Sequence, residues 1–99
     1  MEWITLEKEI GAKGSEGGII IRDEEYDESC RASLERCSKY YAVTCGVYGS
    51  MVHTAFFGAD DYEAKYEEIK HDLQGFVDKV NDMTEDERCN FYSYFCDKY

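Results

Sequence analysis

Cys45 and His53 are the one nucleophile and base pair this sequence offers. A thiol-dependent enzyme would need the imidazole within hydrogen-bond reach of the thiol, so that the ring can take its proton. Their relation is set by the turn between two strands, Tyr40 to Tyr48 and Met51 to Phe57. Gly49-Ser50 between them matches the Gly-X loop of a two-residue type II′ hairpin, with glycine supplying the positive φ. That turn sets Tyr48 opposite Met51, Gly46 opposite His53 and Thr44 opposite Ala55, and it puts Cys45 and His53 on opposite faces. A three-residue loop would shift the pairing by one and bring them side by side. On the two-residue reading Cys45 is core filler.

The other chemistry-bearing residues fall short of a site. The remaining cysteines are Cys30, Cys37, Cys89 and Cys96, an odd total of five with no C-x-x-C, as expected of a reducing compartment. Cys89 and Cys96 lie two turns apart on a predicted helix, ~10 Å along its axis, beyond the ~7 Å limit for a disulfide. Most of the cysteines read as small buried hydrophobes. Asp23 to Glu28 holds five carboxylates in six residues. It lacks the glycine and the bidentate Glu of a calcium loop and reads as a solvated strand end and turn. His71 sits among charged and polar neighbours and is expected in solvent. Gly14-Ser15-Glu16-Gly17-Gly18 carries no Lys and leads into a strand, so it is no phosphate loop. Neither a metal nor a cofactor is expected.

What remains is an unusual sheet face. On the two-residue turn, face one holds Val43, Cys45, Val47, Val52, Thr54 and Phe56. Face two holds Tyr40, Ala42, Thr44, Gly46, Tyr48, Met51, His53, Ala55 and Phe57. A glycine inside a strand often marks close approach by a backbone or a ligand. Gly46 and Thr44 are small, with Tyr40, Tyr48, Met51 and Phe57 around them and His53 opposite. Face two is therefore the candidate binding face, as a self-interface, as a small-molecule depression, or as a surface covered by the N-terminal segment or the second helix.

The elements that position this face follow from pattern. Residues 1–18 form an N-terminal segment, helix or edge strand, and a Gly-rich connector. A β-meander of about four antiparallel strands spans 19–57. It opens with the β-branched Ile19-Ile20-Ile21 and includes a strand from Cys30 to Arg36, whose alternation suits one wet face. Asp60-x-x-Glu63 reads as a variant capping box. It starts a long helix over 60–80 with an apolar stripe at Tyr62, Tyr66, Ile69, Leu73, Phe76, Val77 and Val80, expected to cover face one. Thr84-x-x-Glu87 caps a shorter helix over 84–98, burying Phe91, Tyr92, Phe95 and Tyr99. The fold class is α+β in a single domain, as its 99 residues suggest.

Charge narrows the partners. Twenty-two acids against eleven bases leave −11, which repels nucleic-acid phosphates and anionic lipid headgroups. No run of ~18 apolar residues is present to span a membrane. Acids stand where a signal peptide needs a basic and then an apolar region, so a cytoplasmic location is expected. The stretch Tyr41-Ala42-Val43-Thr44-Cys45-Gly46-Val47-Tyr48-Gly49-Ser50-Met51-Val52-His53-Thr54 resembles small uncharacterised bacterial proteins, in which a similar strand pair precedes a helix rich in Glu, Lys and Tyr. The resemblance covers roughly residues 17–80 and leaves out the second helix and its two cysteines. It implies a bacterial origin and no activity. Three functional readings follow: a non-enzymatic interaction module forming a homodimer through face two, an acidic inhibitor or immunity-type protein that neutralises a basic partner, and a thiol-dependent enzyme using Cys45 and His53.

Overall fold

The computed structural model describes residues 2–99. Five strands form one antiparallel sheet in chain order: β1 (Trp3–Thr5), β2 (Ile19–Tyr26), β3 (Cys30–Arg36), β4 (Tyr41–Val47) and β5 (Met51–Phe57). Two helices follow, α1 (Tyr62–Lys79) and α2 (Glu85–Lys98). The meander and the α+β class agree with the sequence pattern, with one strand more than the four expected. The extra strand is β1, which pairs Trp3 with Tyr26 and is followed by a single 3-10 turn at Glu7–Glu9. The N-terminal segment thus combines an edge strand and a helical turn.

Both helices pack on the same side of the sheet. From α1, Tyr66, Ile69, Leu73, Phe76 and Val77 are buried, against Cys30, Ala32, Leu34, Val43 and Cys45 of the central strands. The stripe read from the sequence is the buried stripe, because residues three and four apart share one helical face. Tyr62 extends it by stacking on Tyr41 at 3.7 Å. A further buried position, Lys70, does not belong to any apolar pattern.

Helix α2 begins at a complete capping box: the Glu87 N–H donates to Thr84 Oγ1, and the Thr84 N–H donates to Glu87 Oε1. It folds back along α1, so that Phe91 stacks on Phe76 at 4.3 Å and the Tyr99 hydroxyl reaches Glu68 and Asp72. Phe95 is its buried anchor, with Phe91, Tyr92 and Tyr99 packed around the core. The first helix starts differently from the expected box. Its N-cap is Asp61, whose side chain accepts the Gly58 N–H, and Asp60 caps nothing. Gly58 and Ala59 turn the chain so sharply that Asp61 binds backwards into the turn rather than forwards into the helix.

The acidic run is also corrected by the structure. Strand β2 continues through it to Tyr26, and Asp23 and Glu24 are buried. Only Asp27 and Glu28 form the exposed turn, both with left-handed φ of 53° and 51°. Asp23 and Glu24 are each met by a cation from another element, and Arg22 of the same strand also reaches Glu24 at 2.8 Å. The Lys70 ammonium stands 2.8 Å from Glu24, and Arg31 grips Asp23 through both oxygens.

Candidate functional site: the open face of the sheet

The β4–β5 connection is a three-residue loop, Tyr48-Gly49-Ser50, closed by a Ser50 N–H to Val47 carbonyl bond of 3.0 Å. Gly49 supplies the positive φ, at 74°. The register is therefore one step from that of a two-residue turn: Val47 faces Met51, Gly46 faces Val52, Cys45 faces His53 and Thr44 faces Thr54. Because side chains alternate along a strand, that single step turns all of β5 over. Met51, His53, Ala55 and Phe57 point to the helices, and Val52, Thr54 and Phe56 point away.

The seven residues expected on one binding face are accordingly divided. Thr44 and Gly46 lie on the side without helices, flanked there by Tyr40 and Tyr48. Met51 and Phe57 pack against the core under the helices. His53 lies under α2, its ring edge-on to Phe95 at 6.1 Å, and its Nε2 is buried without a hydrogen-bond partner among the described residues. Cysteine placement is also mixed. Cys30 and Cys45 are buried and Cys37 is half-buried, whereas Cys89 and Cys96 are exposed. His71 is in solvent as expected.

Cys45 and His53 are side by side after all, yet the arrangement is not that of a nucleophile and its base. The thiol donates to the His53 backbone carbonyl, 3.6 Å away, rather than to the ring. Burial pushes the Cys45 thiol up to about 12, the direction opposite to that of a reactive thiolate.

The side of the sheet without helices carries the distinctive surface. Its outward positions are Ile20, Asp23 and Glu25 on β2, Arg31, Ser33 and Glu35 on β3, Ala42, Thr44 and Gly46 on β4, and Val52, Thr54 and Phe56 on β5. A depression of about 610 Å³ runs across them, with Ile20, Ser33, Thr44 and Val52 among its walls. Residues 14–18 curl over one end only, held there by buried Glu35, which accepts the Gly18 N–H at 2.6 Å and the Glu16 N–H at 3.3 Å. Gly46 owes its identity to the hairpin and not to a ligand, since a Cβ there would come within 2.2 Å of the Met51 carbonyl oxygen.

Every charged side chain at these outward positions already has a partner. Arg31 and the Ser33 hydroxyl satisfy Asp23, the loop amides satisfy Glu35, and the Tyr48 hydroxyl donates to Glu25 at 2.5 Å. The large apolar groups, by contrast, are bare. Val52 is 79% exposed and Phe56 55%, with Tyr48 at 47% and Tyr40 at 38%. Tyr40 packs edge-on against Phe56 at 5.5 Å, joining them in one patch.

No protein-family model, curated protein or solved structure matches the chain. The geometry of this face is therefore the ground for a functional reading. No helix among the described residues is long and apolar enough to cross a membrane.

Proposed function

We propose that the protein is a non-enzymatic interaction module that self-associates through the β5 side of its open sheet face. The observation that carries this reading is the contrast on that face between satisfied charges and uncovered apolar groups. Covering a charge that lacks a partner is costly, but here the charges bring their partners with them. Covering Val52 and Phe56 recovers ~25 cal/mol for each Å² of apolar surface removed from water. Exposed apolar and aromatic groups gathered in one patch are the usual mark of a contact site.

The net charge of −11 does not oppose a second copy at this place. Acids without a hydrogen-bond or ion-pair partner among the described residues stand on the other layer, including Asp82 after α1 and Glu85, Asp86 and Asp97 on α2, all exposed. Charges separated by more than the ~8 Å Debye length at physiological salt are largely screened. Light scattering across a wide concentration range should give twice the monomer mass, and Val52→Asp or Phe56→Glu should return it to monomer with the circular dichroism unchanged. A wild-type mass that stays monomeric at the highest concentration sinks the proposal.

A second reading rests on the acidic helical layer, which suits an inhibitor of a basic protein. Electrostatic steering would speed such capture and would weaken as salt is raised. Binding of a basic partner that persists undiminished at high salt would count against it.

A further inference from the structure

Strand β5 is the free edge of the sheet, and it carries none of the protections that edge strands ordinarily have. Natural edges are blunted by charges, prolines, bulges, shortness or a covering segment. Met51 to Phe57 has seven residues with no charge and no proline, in a chain that is 33% charged. Its pairing with β4 runs without a bulge. Among the described residues no strand lies beyond it. The opposite edge is guarded: β1 is three residues long and is bracketed by Glu2 and by the acidic turn at Glu7–Glu9.

From this we infer that β5 of one copy pairs antiparallel with β5 of a second copy, joining two five-stranded sheets into one of ten strands. The inference rests on the self-association proposed above and specifies its geometry. Overlap of all seven residues places the two-fold axis at Thr54. Val52 then stands opposite Phe56 on the open face, and Phe56 opposite Val52. An aliphatic side chain meets an aromatic one in both halves of the interface, a favourable cross-strand combination.

The occupant is a second copy because the strand is self-complementary in charge as well as in shape. The acids nearest β5 in sequence are Asp60 and Asp61, just beyond its C-terminal end. Antiparallel pairing sets that corner against the uncharged Gly49-Ser50 of the other copy. A parallel arrangement would set the acids of one copy beside those of the other.

Distance distinguishes this geometry from face-to-face stacking. Directly opposed residues of an antiparallel pair have Cα atoms ~4.5–5.5 Å apart, within the span of a disulfide. Stacked sheets lie ~10 Å apart, beyond it. The test uses the full chain with the exposed Cys89 and Cys96 changed to Ser, and adds Thr54→Cys, Val52→Cys or Phe56→Cys singly. Each protein is oxidised at a concentration where light scattering gives the dimer mass, with the background lacking an added cysteine as control. Efficient cross-linking at position 54, and not at 52 or 56, is the expected result. A dimer that does not cross-link at 54 overturns edge pairing while leaving self-association intact. A chain that is monomeric throughout overturns both.

Discussion

Cys45 and His53 stand directly opposite one another in the β4–β5 ladder, on the side of the sheet that the helices cover. Their proximity produces packing rather than chemistry. The thiol is turned to the histidine backbone, and burial pushes it up to about 12. At pH 8, alkylation followed by mass spectrometry should modify the exposed Cys89 and Cys96 first and leave Cys30 and Cys45 protected in the native state. Cys45→Ala should cost about 1 kcal/mol through lost burial and leave the solution mass unchanged. Labelling of Cys45 as fast as Cys96 would contradict this placement.

Glu24 gives the fold a defined response to acid. Burial would raise its carboxyl, but the Lys70 ammonium at 2.8 Å, with Arg22 and the Tyr66 hydroxyl, holds it below its ordinary value of 4.5. A depressed folded value means that the pair's contribution is complete above 4.5 and is lost as pH falls through the folded value. Thermal melts should therefore show little Glu24 dependence on pH above 5 and a decline beneath 4.5 that Glu24→Gln flattens.

The same pair predicts an asymmetry among mutants. Lys70→Met removes one of the two cations on the buried Glu24 carboxylate, with Arg22 still 2.8 Å away, and should cost about 1–3 kcal/mol. The double change Glu24→Leu with Lys70→Met should recover most of that loss, since apolar replacements of buried ion pairs are often neutral. Denaturant midpoints of the two variants decide the point. A double variant no better than the single one would mean that losing the Arg22 and Tyr66 hydrogen bonds to the Glu24 carboxylate outweighs the relief.

Gly46 admits no side chain. A Cβ would lie 2.2 Å from the Met51 carbonyl oxygen, and a backbone atom in a paired strand cannot move aside cheaply. Gly46→Ala should destabilise by about 2–3 kcal/mol, as overpacking does. A loss below about 0.5 kcal/mol in urea titration, well under the overpacking range, would show that the β4–β5 hairpin is looser than its register implies.

The β2–β3 turn can be improved. Asp27 and Glu28 both adopt left-handed φ, where an asparagine followed by a glycine is the favoured pair. The double change Asp27→Asn with Glu28→Gly should raise stability by about 1 kcal/mol, the balance of ~1–2 kcal/mol of relieved strain against the extra entropy of glycine. An unchanged melting temperature would mean that the acidic pair contributes something the turn geometry does not reveal.

Local periodicity was enough to establish the class of fold. The stripe from Tyr62 to Val77, the Thr84 capping box and the bounds of β3 and β5 are short-range patterns, and each is reproduced because residues near in sequence enforce them. The limits of β2 were not readable, since Asp23 and Glu24 look solvated until Arg31 and Lys70 arrive from β3 and α1. Trp3 was equally silent: its indole N–H meets Gln74 at 3.0 Å, seventy-one positions away.

The open face depended on one residue of loop length. Tyr48-Gly49-Ser50 and a two-residue turn differ by a single step, but a strand has period two, so that step exchanges Met51, His53 and Phe57 for Val52, Thr54 and Phe56. The sequence by itself determined that one sheet face would be apolar and tightly packed by helices, because hydrophobic alternation and helical stripes are local. Which side chains remain on the other face, and that their charges arrive already paired, was decided only by tertiary structure, where register and the partners of buried acids are set by contacts between distant strands and helices.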